Sequence, residues 1–100
     1  MSVKVTDNTN VVRAWKEGRD ARNHKNTLLT IDGELYSYQL KIGSRTDAGV
    51  CVLADFMAPS GGFHSMTTSQ HVSLAKIVAD VVMHPLVWES SPLSHDGAPF

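Results

Sequence analysis

The longest apolar pattern in the chain lies in Thr67–Met83. Four of its aliphatic residues recur at the spacing of one helix face: Leu74, Ile77, Val78 and Val81. Thr68 or Ser69 is a suitable N-cap, because a short hydroxyl side chain can accept from a free N–H of the first turn. Pro85 lacks an N–H and so prevents continuation. The pattern predicts a helix over this whole stretch, with the four aliphatic residues in the core.

A second apolar line is expected on the other side of this helix. Val72 and Met83 lie there with the small Ala79 between them. A helix that is apolar on several sides is usually covered by more than one element. Two covers stay open: the chain's own tail, or another molecule that binds Val72 and Met83, together with Trp88 of the tail.

Near the start of the chain, Val3 and Val5 alternate with polar residues, a pattern that favours a short edge strand. Residues 10–23 predict a helix, capped by one of the polar residues 7–9 and anchored by Trp15. Its basic residues Arg13, Lys16, Arg19 and Arg22 come at steps of three, which do not line up on a helix of 3.6 residues per turn. A solvated face is therefore favoured over a nucleic-acid stripe.

The pattern of apolar and polar residues over 26–56 predicts strands. Asp32-Gly33 is a two-residue turn signal, which places Ile31 opposite Glu34 and Leu29 opposite Tyr36. The face expected to be covered carries Tyr36, Tyr38, Leu40 and Ile42, on one continuous strand. Residues 49–56 are apolar on both sides and predict a central strand. Residues 63–66 are a candidate for a fourth strand.

The tail contains Pro85, Pro92 and Pro99, which argue against regular structure, yet residues 86–88 are apolar and are expected to dock on the body. The predicted fold is α+β: a three- or four-stranded antiparallel meander with an N-terminal and a C-terminal helix, in the order α-β-β-β-(β)-α. Residues 1–100 form one domain, with the body over about 8–84 and the tail over 85–100.

Composition narrows the functional classes. The chain has 100 residues and a formal net charge of −1, which argues against a binder of nucleic-acid phosphates. Cys51 is the single cysteine, so no internal disulfide is possible and a reducing compartment is indicated. Neither a signal peptide nor an apolar run that could span a membrane is visible. A cytoplasmic protein is expected.

The most site-like segment is Thr67–His71. Thr67, Thr68, Ser69 and His71 could hold a small anion at a helix start, or could simply cap the helix, with His71 hydrogen-bonded at the edge of the core. Capping is the favoured interpretation. Catalytic roles do not assemble: no nucleophile elbow surrounds a serine, and Cys51 lies in a predicted strand. His64, His71 and Cys51 lack a metal-site spacing. The sequence predicts neither an enzyme, a metal site nor a cofactor.

Three motifs in order carry a resemblance: a Trp-x-x-Gly helix at Trp15–Gly18, an Asp-Gly hairpin with Ser-Tyr at 32–38, and Thr-Thr-Ser-x-His at Thr67–His71. This succession resembles a family of small bacteriophage and prophage proteins over residues 11–80. The resemblance implies a phage accessory protein that binds and inhibits a host factor, including defence nucleases. Two alternatives remain: a homodimer formed through the second apolar line, and a small-ligand or nucleotide-binding protein that uses Thr67–His71.

Overall fold

A computed structural model describes residues 3–56 and 66–90. In chain order, its elements are β1 (Lys4–Thr6), α1 (Asn8–Glu17), β2 (Ala21–Asn23), β3 (Leu28–Ile31), β4 (Glu34–Ser37), β5 (Leu40–Arg45), β6 (Cys51–Ala54), α2 (Met66–Ala75), β7 (Val81–Met83) and α3 (Pro85–Glu89).

The strands form one mixed sheet in sequence order, β1 to β7. The successive pairings from β2 to β6 are antiparallel. The two outermost pairings, β1–β2 and β6–β7, are parallel, and in each the chain passes through a helix between the two strands. The α+β class is confirmed, whereas the prediction of three or four strands is too low for the seven in the described residues. The edge position of residues 4–6 and the central position of residues 51–54 are confirmed.

Helix α1 is shorter than predicted. Asp7 is its N-cap and accepts from Asn10 N at 2.9 Å, and Gly18 ends it in a left-handed conformation with φ of 79°. Residues 21–23, predicted as the end of this helix, instead form β2. They pair with β1 on one side and β3 on the other, so long-range hydrogen bonds outweigh the local helical pattern.

Both longer helices cover one face of the sheet. Trp15 of α1 packs against Gly43 of β5, and Ser37 of β4 contacts α2 on the same face. This face buries Leu28 and Leu35 completely. Leu29 and Tyr36, which were expected on the covered face, point to the opposite one and are half-buried. The face assignment was therefore wrong for these two residues, because small polar residues such as Ser37 occupy covered positions, whereas Ile42 is buried as expected.

The hairpin at Asp32-Gly33 is confirmed, including the pairs Ile31–Glu34 and Leu29–Tyr36. The continuous strand expected through Tyr38 is wrong. Tyr38 has φ of 58°, is half exposed and begins a turn that separates β4 from β5. No glycine, proline or asparagine marks this turn, so the strand pattern in the sequence runs through it.

The largest correction concerns the predicted helix over residues 67–83. Helix α2 begins at Met66, so Thr68 and Ser69 lie within it and the prediction that one of them is its N-cap is wrong. The helix ends at Ala75, and residues 81–83 form β7, which pairs in parallel with β6. Val72 is fully buried, whereas Ile77, expected in the core, is 78 % exposed. Leu74 and Val78 are half-buried, and Val81 is exposed. The β-branched residues of this segment are better suited to a strand, and β6 supplies the pairing partner.

The start of the tail docks on the body, as predicted for Trp88, which is only 2 % exposed. The expectation of no regular structure is wrong for residues 85–89, which form α3 with His84 as N-cap and Pro85 in its first turn. Leu86 and Val87 remain exposed. Of the possible strand at residues 63–66, only Met66 is described, and it begins α2. The rest of that segment and the tail from residue 91 lie outside the described residues.

Candidate functional site

An open cleft of about 630 Å³ lies where α1 begins, beside the β2–β3 connection and the first turns of α2. We call it the polar cleft. Its lining comes from residues 6–9, residues 23–25, Thr27, Thr67, Gln70 and His71, and every one of these side chains is polar. A cavity of this size accommodates a small molecule.

One wall of the polar cleft is held by Asn23. Its side-chain nitrogen donates to Asn8 Oδ1 and to Thr27 Oγ1, each at 2.8 Å. Its oxygen accepts from the backbone N–H groups of Thr27, at 2.8 Å, and Leu28, at 3.3 Å. The side chain thereby joins the start of α1 to the β2–β3 connection and holds the wall in one arrangement.

His71 of α2 also lines the cleft and belongs to a buried network. Its Nδ1 lies 2.8 Å from Ser37 Oγ, which is also 3.0 Å from Thr68 Oγ1. All three side chains are at most 2 % exposed. Burial lowers the pKa of His71 below its usual range, so the ring is neutral at pH 7.

The pairing of Ser37 with His71 has the composition of a nucleophile and its base, but Ser37 is completely buried at the end of β4. A nucleophile has to reach the substrate, so this hydroxyl serves to orient the imidazole. The absence of enzymatic activity stays a prediction.

The segment predicted as a site divides in two. Thr67 and His71 line the polar cleft, whereas Thr68 turns inward to Ser37. Ser69 is half-buried, and its Oγ is buried without a hydrogen-bond partner among the described residues. The hydrogen-bonded histidine was expected, but Ser37 was not foreseen as its partner because the two residues are 34 positions apart.

Tyr38 contacts two residues that line the polar cleft, Thr27 and His71. Its backbone N–H donates to Thr27 O at 2.8 Å, and its ring centre lies 6.4 Å from that of His71. The side chain is 50 % exposed. A large side chain at positive φ costs roughly 1–3 kcal/mol, and such strain is concentrated at functional sites.

A second candidate is the apolar surface around β7. Five of the large hydrophobic residues that are exposed fall within eleven positions, and we call them the apolar edge surface: Ile77, Val81, Val82, Leu86 and Val87. Strand β7 lies at the end of the sheet and has a single neighbouring strand, β6, within residues 3–56 and 66–90. Exposed apolar surface of this kind is typical of protein interaction sites.

The residues predicted to bind a partner are not those of this surface. Val72 and Trp88 are buried, and Met83 is half-buried against the core. The line through Val72 and Met83 does not exist, since the two residues belong to a helix and a strand. The run of β-branched residues from Ile77 to Val82 is the sequence signal that could have identified the edge.

The other candidate groups of the sequence are buried or already paired within the chain. Cys51 is buried, and this burial raises the pKa of its thiol. Among the described residues, no group of three or more His, Cys, Asp or Glu side chains could hold a metal ion. Arg19 pairs with Glu17, and Arg22 donates to Asn26 at 3.0 Å, so these arginines are engaged within the chain. The described helices are too short or too polar to cross a membrane.

The chain was compared with protein families, curated proteins and solved structures. No family model, curated protein or solved structure matches the chain. The resemblance to phage proteins therefore stays an expectation.

Proposed function

We propose that this chain is a protein-binding module whose partner docks on the apolar edge surface. The observation that carries the proposal is the concentration of exposed aliphatic residues beside β7, whose outer edge pairs with no strand in the part of the chain that the structure describes. Val81 and Val82 are adjacent in the strand and so point to opposite faces of the sheet, yet both are exposed. A strand that pairs with β7 places side chains on both faces of the sheet and so can contact both valines. A partner packed on one face of the sheet would contact only one of them.

The two edges of the sheet differ in a way that supports this choice. β1 carries Lys4, a charged residue of the type that protects an edge from further pairing. β7 consists of Val81, Val82 and Met83 and has no charge. The partner that fits is an extended, uncharged apolar segment of another protein, added to β7 by backbone hydrogen bonds.

Each of the five side chains is between 42 % and 78 % exposed, so every one of them can contact a partner. The ion pair of Asp80 with Lys16, with N–O distance 2.7 Å, neutralises the charge that precedes β7. A charged partner segment would therefore gain little here.

The biological role that we propose is that of a phage-type accessory protein, acting in the host cytoplasm by occupying a host factor, including a defence nuclease. The order of the Trp-x-x-Gly, Asp-Gly and Thr-Thr-Ser-x-His motifs supports this role. The apolar edge surface supports inhibition by binding.

The test compares capture of proteins from bacterial lysate by the wild-type chain and by three variants. Val82→Glu and Leu86→Glu place charge on the apolar edge surface, and Val5→Glu is the matched control, because Val5 is 38 % exposed on the opposite edge strand. We expect one bound protein to be retained by wild type and Val5→Glu and lost with the other two.

Equal capture by all four proteins, or capture of nothing, contradicts the proposal. Light scattering over a range of concentrations accompanies the test. A dimer that Val82→Glu dissociates and Val5→Glu leaves intact would assign the edge to a second copy and would overturn the role of host inhibitor at this surface.

A further inference from the structure

The polar cleft belongs to a different part of the molecule from the apolar edge surface, and its chemistry points to a different kind of ligand. Its lining consists of hydroxyl, amide, imidazole and single charged groups, with no aliphatic, phenyl, phenol or indole side chain. A ligand would therefore be recognised by hydrogen bonds that are already oriented, since Asn23 and His71 are each held by neighbouring residues.

The charges of the polar cleft favour a neutral ligand. Asp7 is its one carboxylate and Lys25 its one ammonium group. Asp7 already accepts from Asn10 N at 2.9 Å, so a carboxylate occupies the start of α1, where an anion would otherwise bind. A phosphate group in this cleft would meet that carboxylate and a single lysine.

Tyr38 supplies an exposed phenol ring, which the cleft lining itself lacks. Its exposed ring stands beside His71 and is held there at a positive φ that glycine would adopt without strain. An exposed aromatic ring next to hydrogen-bonding groups fits a ligand with one flat face and a polar rim. The backbone strain at Tyr38 is explained if the ring serves binding.

We propose that the polar cleft binds a neutral polyhydroxylated ring compound, a monosaccharide or a nucleoside, whose ring face packs on Tyr38 while its hydroxyl groups bond with Asn8, Thr67 and Gln70. The inference stands independently of the proposed protein partner, because none of these residues belongs to the apolar edge surface.

The experiment is a titration of the ¹⁵N-labelled full-length chain, followed by NMR. Glucose and N-acetylglucosamine form the sugar arm, adenosine and uridine form the nucleoside arm, and inorganic phosphate is tested separately. We expect saturable shifts of the amides of Asn8, Thr27 and Gln70 with a member of one arm, which identifies the source of the ring.

Two variants and a control separate binding from structure. Tyr38→Gly should weaken binding by about fivefold or more, the loss expected for an aromatic ring that stacks on a ligand. Its melting temperature should stay unchanged or rise, because glycine relieves the strain. Gln70→Ala should weaken binding as well. Gln39→Ala, in the same turn as Tyr38 but outside the cleft lining, should bind as the wild type does.

Three results would each overturn the inference. One is the absence of saturable shifts in the cleft with both arms. Another is binding that Tyr38→Gly and Gln70→Ala leave unchanged. The third is saturable binding of inorganic phosphate alone, which would make the cleft an anion site.

Discussion

Trp15 occupies the space that a side chain at Gly43 would need. A Cβ on Gly43 would lie 2.8 Å from Trp15 Cζ2 and 3.1 Å from the carbonyl oxygen of Val52. The indole N–H of Trp15 donates to Gly33 O at 3.0 Å, so the ring is held between the β3–β4 turn and β5. Helix α1 is thereby seated on the sheet at a position where its partner strand has no side chain.

Gly43→Ala should lower the free energy of unfolding by about 1–3 kcal/mol, because the added methyl group overpacks a closed core. Urea denaturation measures the loss. In a double-mutant cycle, the smaller ring of Trp15→Phe should reduce the cost of Gly43→Ala. Additive effects of the two changes would show that the ring does not limit the space at Gly43.

His71 should make stability depend on pH. Burial lowers its pKa in the folded state, so the unfolded state binds more protons and stability rises with pH across this range. The contribution should be complete above the unfolded-state pKa of about 6.5 and should be lost as pH falls through the folded-state value. An NMR titration of the His71 ring signal, assigned with His71→Gln, checks this directly. A pKa at or above 6.5 would refute it.

Asp80 should contribute to stability at neutral pH. Hydrogen bonds from Cys51 N, at 2.9 Å, and from Lys16 Nζ, at 2.7 Å, hold the pKa of its carboxyl below the usual range. Its contribution is therefore present above the unfolded-state value of about 3.9 and lost as pH falls through the folded-state value. Melting temperatures of Asp80→Asn and wild type should differ at pH 7 and converge in acid. A constant difference at all pH values would contradict this assignment.

Trp88→Ala should cost about 3–5 kcal/mol of unfolding free energy, because it empties a buried aromatic site under α3. Leu86→Ala in the same helix is the matched control. Leu86 is 70 % exposed, so the change should stay within about 0.5 kcal/mol. Chemical denaturation measures the unfolding free energy of both variants. If α3 did not pack on the body, Trp88→Ala and Leu86→Ala would lower that free energy by similar amounts.

Val72→Ala and Ile77→Ala form a second informative pair. Val72 is fully buried in α2, so its truncation should cost about 1–3 kcal/mol. Ile77 lies five residues later and is mostly exposed, so its truncation should leave stability nearly unchanged. The opposite order would restore the long helix that the apolar pattern favours.

What the sequence predicts well is local. The β3–β4 hairpin and its register follow from two adjacent residues, Asp32 and Gly33, both of which adopt the positive φ that such a turn requires. Trp15 and its buried helix face follow from a spacing of a few residues. These features depend on neighbours in the chain and are visible without the fold.

The remaining features depend on contacts between distant residues. Val81 and Val82 are compatible with helix or strand, and pairing with Val52 and Leu53 decides between them. The network of Thr68 and His71 likewise needs Ser37, more than thirty positions away. The apolar edge surface could not be foreseen while Ile77 and Val81 were assigned to a buried helix face.

The parallel pairings at both ends of the sheet have a consequence for how the molecule folds and opens. The strands from β2 to β6 are joined by short connections, which close quickly, whereas residues 55–80 separate β6 from β7. Amide hydrogens of β7 should therefore exchange faster than those of β4 and β5. The strand that offers the apolar edge can then separate locally while the hairpins stay intact.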